Sequence, residues 1–280
     1  MTTPVRRGRT LRSRLLAYIN SATGRLEAAW RILTAAQTAL LNAFASTRPG
    51  RTSGSGARLR AAIAAFNASL AAFNRAAMAM AEAWASRELP LIYREGAWNM
   101  LDNADRPNDL FTWTPRHQAA VTALSAQYFT DLVSRIQDAV RRARAFLAAA
   151  QTAARDTARG RFDIAALRRR FPLDTVVYAN NARHPVIAWA RAAITWQAVT
   201  TGNTGAARTA LDELDVQYLE VRDSPDCGWT AHDDPDRANR TLRTVQDALA
   251  HPTAHAHCVR ELLPRLDLRG RTDILSGAPL

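Results

Sequence analysis

The chain has 280 residues, 48% of them hydrophobic and 22% charged, with a formal net charge of +12. That length suits two domains, or one domain with a long helical extension, and no apolar run of about 18 residues is free of charge, so no membrane-spanning helix is expected. The charge is uneven: residues 1–172 hold 26 Arg against 11 acidic residues, and residues 173–280 hold 11 Arg against 14. The first part is therefore suited to a polyanion or an acidic partner surface. The basic start, Met1 to Arg14, leads into no apolar run with a cleavage site, so no signal peptide is expected. Two cysteines do not make a disulfide scaffold and fit folding in a reducing cytoplasm.

After a basic lead over residues 1–10, a helix is expected from Leu11 to Ser46. Leu15, Ile19, Ala22, Leu26, Trp30, Leu33, Leu40 and Phe44 recur mostly every three or four residues and form one stripe. Residues 47–57 are rich in Gly, Ser and Thr and read as a connector. The next helix carries an a/d seam of Leu59, Ile63, Phe66, Leu70, Phe73, Ala77, Met80 and Trp84, a coiled-coil pattern that asks for a partner helix. The first helix, paired antiparallel, is the natural partner. Pro90 is expected to interrupt the second helix, and Asn103–Pro115 to be loop.

A third helix is expected from Pro115, a favoured first-turn residue, to Arg159. Its buried stripe runs through Val121, Leu124, Tyr128, Leu132, Ile136, Ala139, Ala143 and Leu147. Its end carries Arg141, Arg142, Arg144, Arg155, Arg159 and Arg161, and a short helix from Asp163 adds Arg168, Arg169 and Arg170. These arginines are either a solvated face that suits the helix dipole or a contact surface for phosphate or an acidic partner.

From Leu173 the pattern changes. Thr175–Tyr178 reads as a strand, Asn180–Asn181 as a turn, and Pro185–Thr200 as a helix. Gly202-Asn203-Thr204-Gly205 reads as a second turn, with Thr204 capping a helix to Glu213. Asp215–Asp223 alternates as a strand, Ala238–Ala250 reads as a helix, and a last strand is expected near Cys258–Leu262. The tail from Asp267 has little to bury. The expected fold class is α+β overall and mostly α: a long antiparallel helical domain (1–172), a small α+β domain (173–265) and a C-terminal tail (266–280).

Both cysteines and four of the six histidines fall between Asp223 and Pro264. The segment Asp226-Cys227-Gly228-Trp229-Thr230-Ala231-His232-Asp233-Asp234-Pro235-Asp236 is followed, after the Ala238–Ala250 run, by Ala250-His251-Pro252-Thr253-Ala254-His255-Ala256-His257-Cys258. With the order of elements around it, this stretch resembles the minor head proteins of tailed phages, the Mu F-like family in its actinobacteriophage form. The resemblance covers about residues 173–265. The chain departs from that pattern in reading His255-Ala256-His257-Cys258 where members have His-Pro-Asn-Cys, in lacking a second cysteine soon after Cys227, and in reading Ile194-Thr195 where members have Arg-Thr.

The resemblance implies a structural virion protein, made in the host cytoplasm and placed inside the capsid near the portal. It implies a role in head morphogenesis and DNA packaging or delivery. The implied partners are the portal protein, the major capsid or scaffolding protein, and packaged DNA through the arginine-rich half. A capsid maturation protease is the alternative, and a DNA-binding helical protein a third reading.

Cys227, His232, His251, His255, His257 and Cys258 contain the residue types of a tetrahedral zinc site. Cys227, His251, His255 and Cys258 are the candidate ligands of a structural zinc. Buried packing of both cysteines and a Cys227–Cys258 disulfide are the other readings, and no other cofactor is expected. A Cys/His nucleophile would need an orienting third residue at a recognisable spacing, and the sequence offers neither that nor a phosphate loop or zinc-protease motif. Asp233, Asp234 and Asp236 read either as a turn or as oxygen ligands for a divalent ion. No catalytic activity is expected.

Overall fold

The computed structural model describes residues 10–46, 54–157, 163–178 and 181–280. The basic lead before Thr10, most of the connector, Arg159, Arg161 and Asn180 lie outside the described residues. The fold is mostly helical, with a small α+β region toward the C-terminus. The helices are α1 (Leu11–Ala45), α2 (Gly54–Ala83), α3 (Leu89–Asn103), α4 (Pro115–Thr157), α5 (Ile164–Arg170), α6 (Val186–Asp212) and α7 (Val245–Ala250). The strands are β1 (Thr175–Val177), β2 (Arg183–Pro185), β3 (Tyr218–Arg222), β4 (Leu242–Thr244) and β5 (Glu261–Pro264). A π-helical turn, Trp84–Glu88, joins α2 to α3, and single 3-10 turns lie at Asn108–Leu110 and Leu266–Leu268.

Two compact units emerge. One gathers the start of α1 up to Ala22, Ala83–Tyr128 and Arg191–Leu280; the other gathers Thr23–Glu82 and Phe129–Ala190. The division does not follow the expected boundary at residue 172. It cuts through α1, α4 and α6, because each is long enough to supply apolar turns to two cores.

In the second unit the a/d seam closes within the chain. Phe66 meets Phe146 of α4 with ring centroids 5.1 Å apart, and Phe73 stands edge-on to Trp30 of α1 at 4.9 Å. Leu59, Phe66, Leu70 and Phe73 are buried, while Ile63 is half-buried. On α4 the core residue at the far end is Phe146, with Leu147 half-buried. A helix of 3.6 residues per turn drifts off a 3.5-residue seam, which shifts the buried position by one. β1 and β2 form a two-stranded antiparallel hairpin. Asp163 caps α5, its carboxylate accepting from the Ala166 amide at 3.0 Å. Truncating Phe73 to alanine removes a ring with no exposed surface. The expected loss is about 3–5 kcal/mol, read as a lower urea midpoint of the full-length protein.

The first unit is built on α3, the start of α4, α6 and the three-stranded antiparallel sheet, ordered β4-β3-β5. Its core joins Met100 and Leu101 of α3, Ala206, Ala207 and Ala210 of α6, and Leu219, Val221, Trp229, Val245 and Leu262. Pro90 does interrupt α2, which gives way to the π turn Trp84–Glu88, but the chain stays helical into α3, with the proline in its first turn. Two expectations are corrected here. Gly202–Gly205 is no turn, because α6 runs unbroken through it and Thr204 donates its hydroxyl to the Thr200 carbonyl instead of capping. The Ala238–Ala250 run is helical only from Val245; Leu242–Thr244 is strand β4, drawn out of helix by pairing with β3.

Gly96 of α3 and Gly205 of α6 serve close approach of the two helices. A Cβ on Gly96 would lie 1.8 Å from the Gly202 carbonyl oxygen, and one on Gly205 would lie 2.2 Å from that of Tyr93. Buried His117 bridges the Tyr93 hydroxyl (2.8 Å) and the Glu213 carboxylate (3.1 Å), tying the start of α4 to α3 and to the end of α6. Glu261 accepts from the Leu11 amide at 3.0 Å and from the Asn99 side chain at 2.9 Å. The tail buries little, as expected: none of residues 267–280 is buried, and Leu275 and Leu280 are exposed. It is held along β4 by backbone bonds, with the Leu242 amide donating to Ala278 at 2.8 Å and the Gly277 amide donating to Leu242 at 2.7 Å.

Candidate functional site

The site begins where β3 ends. Asp223 follows the strand, and the chain then turns through Cys227 and the acidic loop before returning at Ala238. Its backbone ties itself closed: the Gly228 amide donates to His232, Trp229 to Asp236, and Ala238 to Cys227. Gly228 is required because a Cβ there would lie 2.1 Å from the Ala231 carbonyl. The Asp234 carboxylate accepts from the Thr230 hydroxyl, the Thr230 amide and the Asp236 amide. The Thr230 hydroxyl leads these bonds in holding Asp234 below the usual carboxylate range. Both oxygens of Asp236 face Arg243, at 2.7 and 2.9 Å. Asp234 and Asp236 are thus committed to the loop and to Arg243 rather than converging on an ion.

Arg260 locks this loop. Its Nε donates to Asp223 at 3.0 Å, Nη1 to the Trp229 and His251 carbonyls at 3.0 and 2.7 Å, and Nη2 to the Gly228 carbonyl at 2.8 Å. Neither Arg260 nor Asp223 exposes any side-chain surface. The guanidinium carbons of Arg260 and Arg243 each lie 4.3 Å from the centre of the Trp229 ring, an arrangement in which the cations are drawn to the ring face. Trp229 donates its indole N–H to Asp247 at 3.0 Å. Burial opposes ionisation of Asp247, but hydrogen bonds from Ser276, Trp229 and His251 outweigh it and hold the carboxyl below its ordinary value. From α6, Asn203 donates to the Pro252 and Arg260 carbonyls at 2.8 and 3.0 Å and so fixes the second half of the site.

Of the proposed zinc ligands, the structure brings together Cys227, His255 and Cys258 and leaves out His251. The ligand atoms of those three all lie within 4.8 Å of one another. His251 instead holds Asp247 through Nδ1 at 3.0 Å and packs against Trp229. Both cysteines are free thiols, so the disulfide reading is not realised. Cys258 points its thiol at Asp223, 3.4 Å from the nearer oxygen. Burial, then the neighbouring Cys258 and Asp223, pushes the Cys227 thiol up to about 12. Burial also raises Cys258, and burial followed by His232 depresses His255. These are protonated thiols beside neutral imidazole, not an activated nucleophile.

The alkaline limb of stability follows from Cys227. The folded pKa of about 12 exceeds the ordinary value of 9.0, so between them the unfolded chain releases a proton that the folded chain keeps. The stabilising effect of the protonated thiol is full below pH 9.0 and lost as pH rises toward about 12. The urea midpoint of metal-free protein should fall between about pH 8 and pH 10.5, and less steeply in Cys227→Ala.

Of the arginines expected to contact portal or DNA, Arg141, Arg144, Arg155, Arg168, Arg169 and Arg170 are exposed. Arg141 pairs with Asp138 at 3.1 Å and Arg169 with Asp163 at 3.6 Å. Arg142 is different. It donates to the Pro172 and Thr175 carbonyls, both at 2.8 Å, and to Asp138 at 3.0 Å, holding the approach to β1 against α4. Seam residues Met80 and Trp84 are buried, and Trp84 donates its indole N–H to Gln197 at 2.8 Å.

Arg260, Arg243, Asp223 and Asp247 were not singled out from sequence. In a chain with 37 basic residues one arginine carries no mark. A signal was present nonetheless: Arg260-Glu261 interrupts an apolar run, Val259 to Leu263, just after Cys258, and both residues prove buried. No protein-family model, curated protein or solved structure matches the chain.

Proposed function

We propose that the chain is a structural minor capsid protein of a tailed phage, placed at the portal vertex on the inner side of the head, where it assists head morphogenesis and DNA packaging or delivery. The observation that supports this reading most is the state of the Asp223–Cys258 region, whose residues carry the resemblance to the Mu F-like family. Its loop is closed on itself, threaded by a buried arginine and backed by α6 through Asn203, which suits a rigid docking head. Both thiols are held protonated, and neither sulfur is hydrogen-bonded to a histidine, which favours a mechanical role over a maturation protease. The exposed arginines of α4 and α5 offer a cationic surface for DNA phosphate or an acidic portal face.

The test is co-purification of the full chain with the portal protein of its phage at low salt and at about 0.5 M salt, where exposed charges are screened within a few ångströms. A stoichiometric complex that survives the salt supports the portal-associated role with an apolar or hydrogen-bonded contact. Absence of any complex, with cleavage of capsid subunits or binding to DNA alone, overturns it.

A further inference from the structure

The geometry points to a structural metal centre of the zinc class, in which Cys227, Cys258 and His255 are ligands and His232 completes the set. The three core ligand atoms, all within 4.8 Å of one another, are close to the separation of about 3.5–3.8 Å that tetrahedral zinc imposes on thiolate and imidazole ligands. They come from two segments that the fold has already fixed. Cys227 is held by the backbone pair to Ala238, and the Cys258 amide donates to the His255 carbonyl at 3.0 Å, a tight turn that brings these two side chains to one place.

The surroundings suit an ion as well. The Cys258 thiol is buried and faces Asp223, 3.4 Å from the nearer carboxylate oxygen. The charge of Asp223 is already balanced by Arg260 at 3.0 Å, so a divalent cation with two thiolates and two neutral imidazoles adds no net charge to the buried region. The ion replaces the two thiol protons, which leave to solvent. His255 spends its Nδ1 on the His257 amide at 3.2 Å, a long contact of the kind an ion would displace. The exposed His232 ring stands edge-on to His255 with centroids 4.8 Å apart, and its loop is anchored by the Gly228 amide on the His232 carbonyl. His251 is excluded because its ring does not converge with Cys227, His255 and Cys258 and turns to Asp247 instead. The ion would clamp the loop after β3 to the turn before β5. This centre does not depend on the virion reading.

The experiment uses the full chain under reducing conditions, with elemental analysis of the purified protein and titration with cobalt(II) alone. The expected result is one equivalent of metal per chain, with thiolate-to-cobalt charge-transfer absorption and the visible bands of a tetrahedral site. His255→Ala and His232→Ala should each weaken cobalt binding by about tenfold or more, at least what loss of an outer partner of a metal site costs. His251→Ala should leave both spectrum and affinity unchanged. The wild-type titration stands even where a variant folds poorly. Reduced wild-type protein that gives no charge-transfer band at one equivalent of cobalt overturns the centre. So does air oxidation to a Cys227–Cys258 disulfide with no metal bound at any stage. Loss of the band in His251→Ala but not in His255→Ala would overturn the ligand assignment, and an unchanged affinity in His232→Ala would remove His232 from it.

Discussion

Replacing Arg260 with methionine should cost the full-length protein about 3–5 kcal/mol of folding stability, the range seen when one partner of a buried ion pair is removed. The loss has two sources. The Asp223 carboxylate, with no exposed side-chain surface, would lose its counter-ion. The Gly228, Trp229 and His251 carbonyls would lose donors at 2.8, 3.0 and 2.7 Å, and a buried acceptor without a partner is costly in its own right. Lysine keeps the charge but presents no planar fork, so Arg260→Lys should recover only part of the loss. In the double variant Asp223→Leu/Arg260→Met the unpartnered carboxyl group is gone while the three carbonyls remain unpaired. Its loss should therefore be smaller than the sum of the single losses, a coupling that a double-mutant cycle reads directly. Urea unfolding followed by circular dichroism supplies all four stabilities. A loss below about 1 kcal/mol for Arg260→Met would put it in the range of an exposed pair and refute the lock.

Gly96→Ala and Gly24→Ala should change stability in opposite directions, although both glycines are helical. At Gly96 the new Cβ would sit 1.8 Å from the Gly202 oxygen and 2.6 Å from its carbonyl carbon. Backbone cannot rotate aside as a side chain can, so α3 and α6 must separate along their crossing. Ordinary overpacking costs about 1–3 kcal/mol, and a backbone clash should reach or pass the top of that range. At Gly24, on α1, a Cβ meets nothing within 4 Å. There the substitution only restricts the unfolded chain and should stabilise by about 0.5–1 kcal/mol. Thermal midpoints of the two variants beside wild type make the comparison. Equal shifts of the same sign would mean that the Gly96–Gly202 contact is not tight.

The long helices were legible because their signal is local. A stripe of apolar residues at helical spacing forms the same face wherever its partner lies, so α1, the seam on α2 and most of α4 follow from the residues themselves. The α6 glycines misled because punctuation is a statistical reading of local cost. The approach of Gly205 to the Tyr93 carbonyl gives one of them a reason that no window along the chain contains. The same holds for Ala238–Thr244, whose strand exists because Tyr218, Leu219 and Glu220 of β3 pair with it.

At the candidate site, sequence determined the inventory: two cysteines, clustered histidines, an acidic loop and a lone glycine within one stretch. Tertiary structure decided the selection. It set His255 beside both thiols and turned His251 to Asp247. It also buried two of the 37 basic residues, Arg243 and Arg260, against the loop. Residue types are properties of the chain, but a ligand set or a buried ion pair is a distance between segments far apart in sequence. That distance exists only once α6, the sheet and the loop have packed.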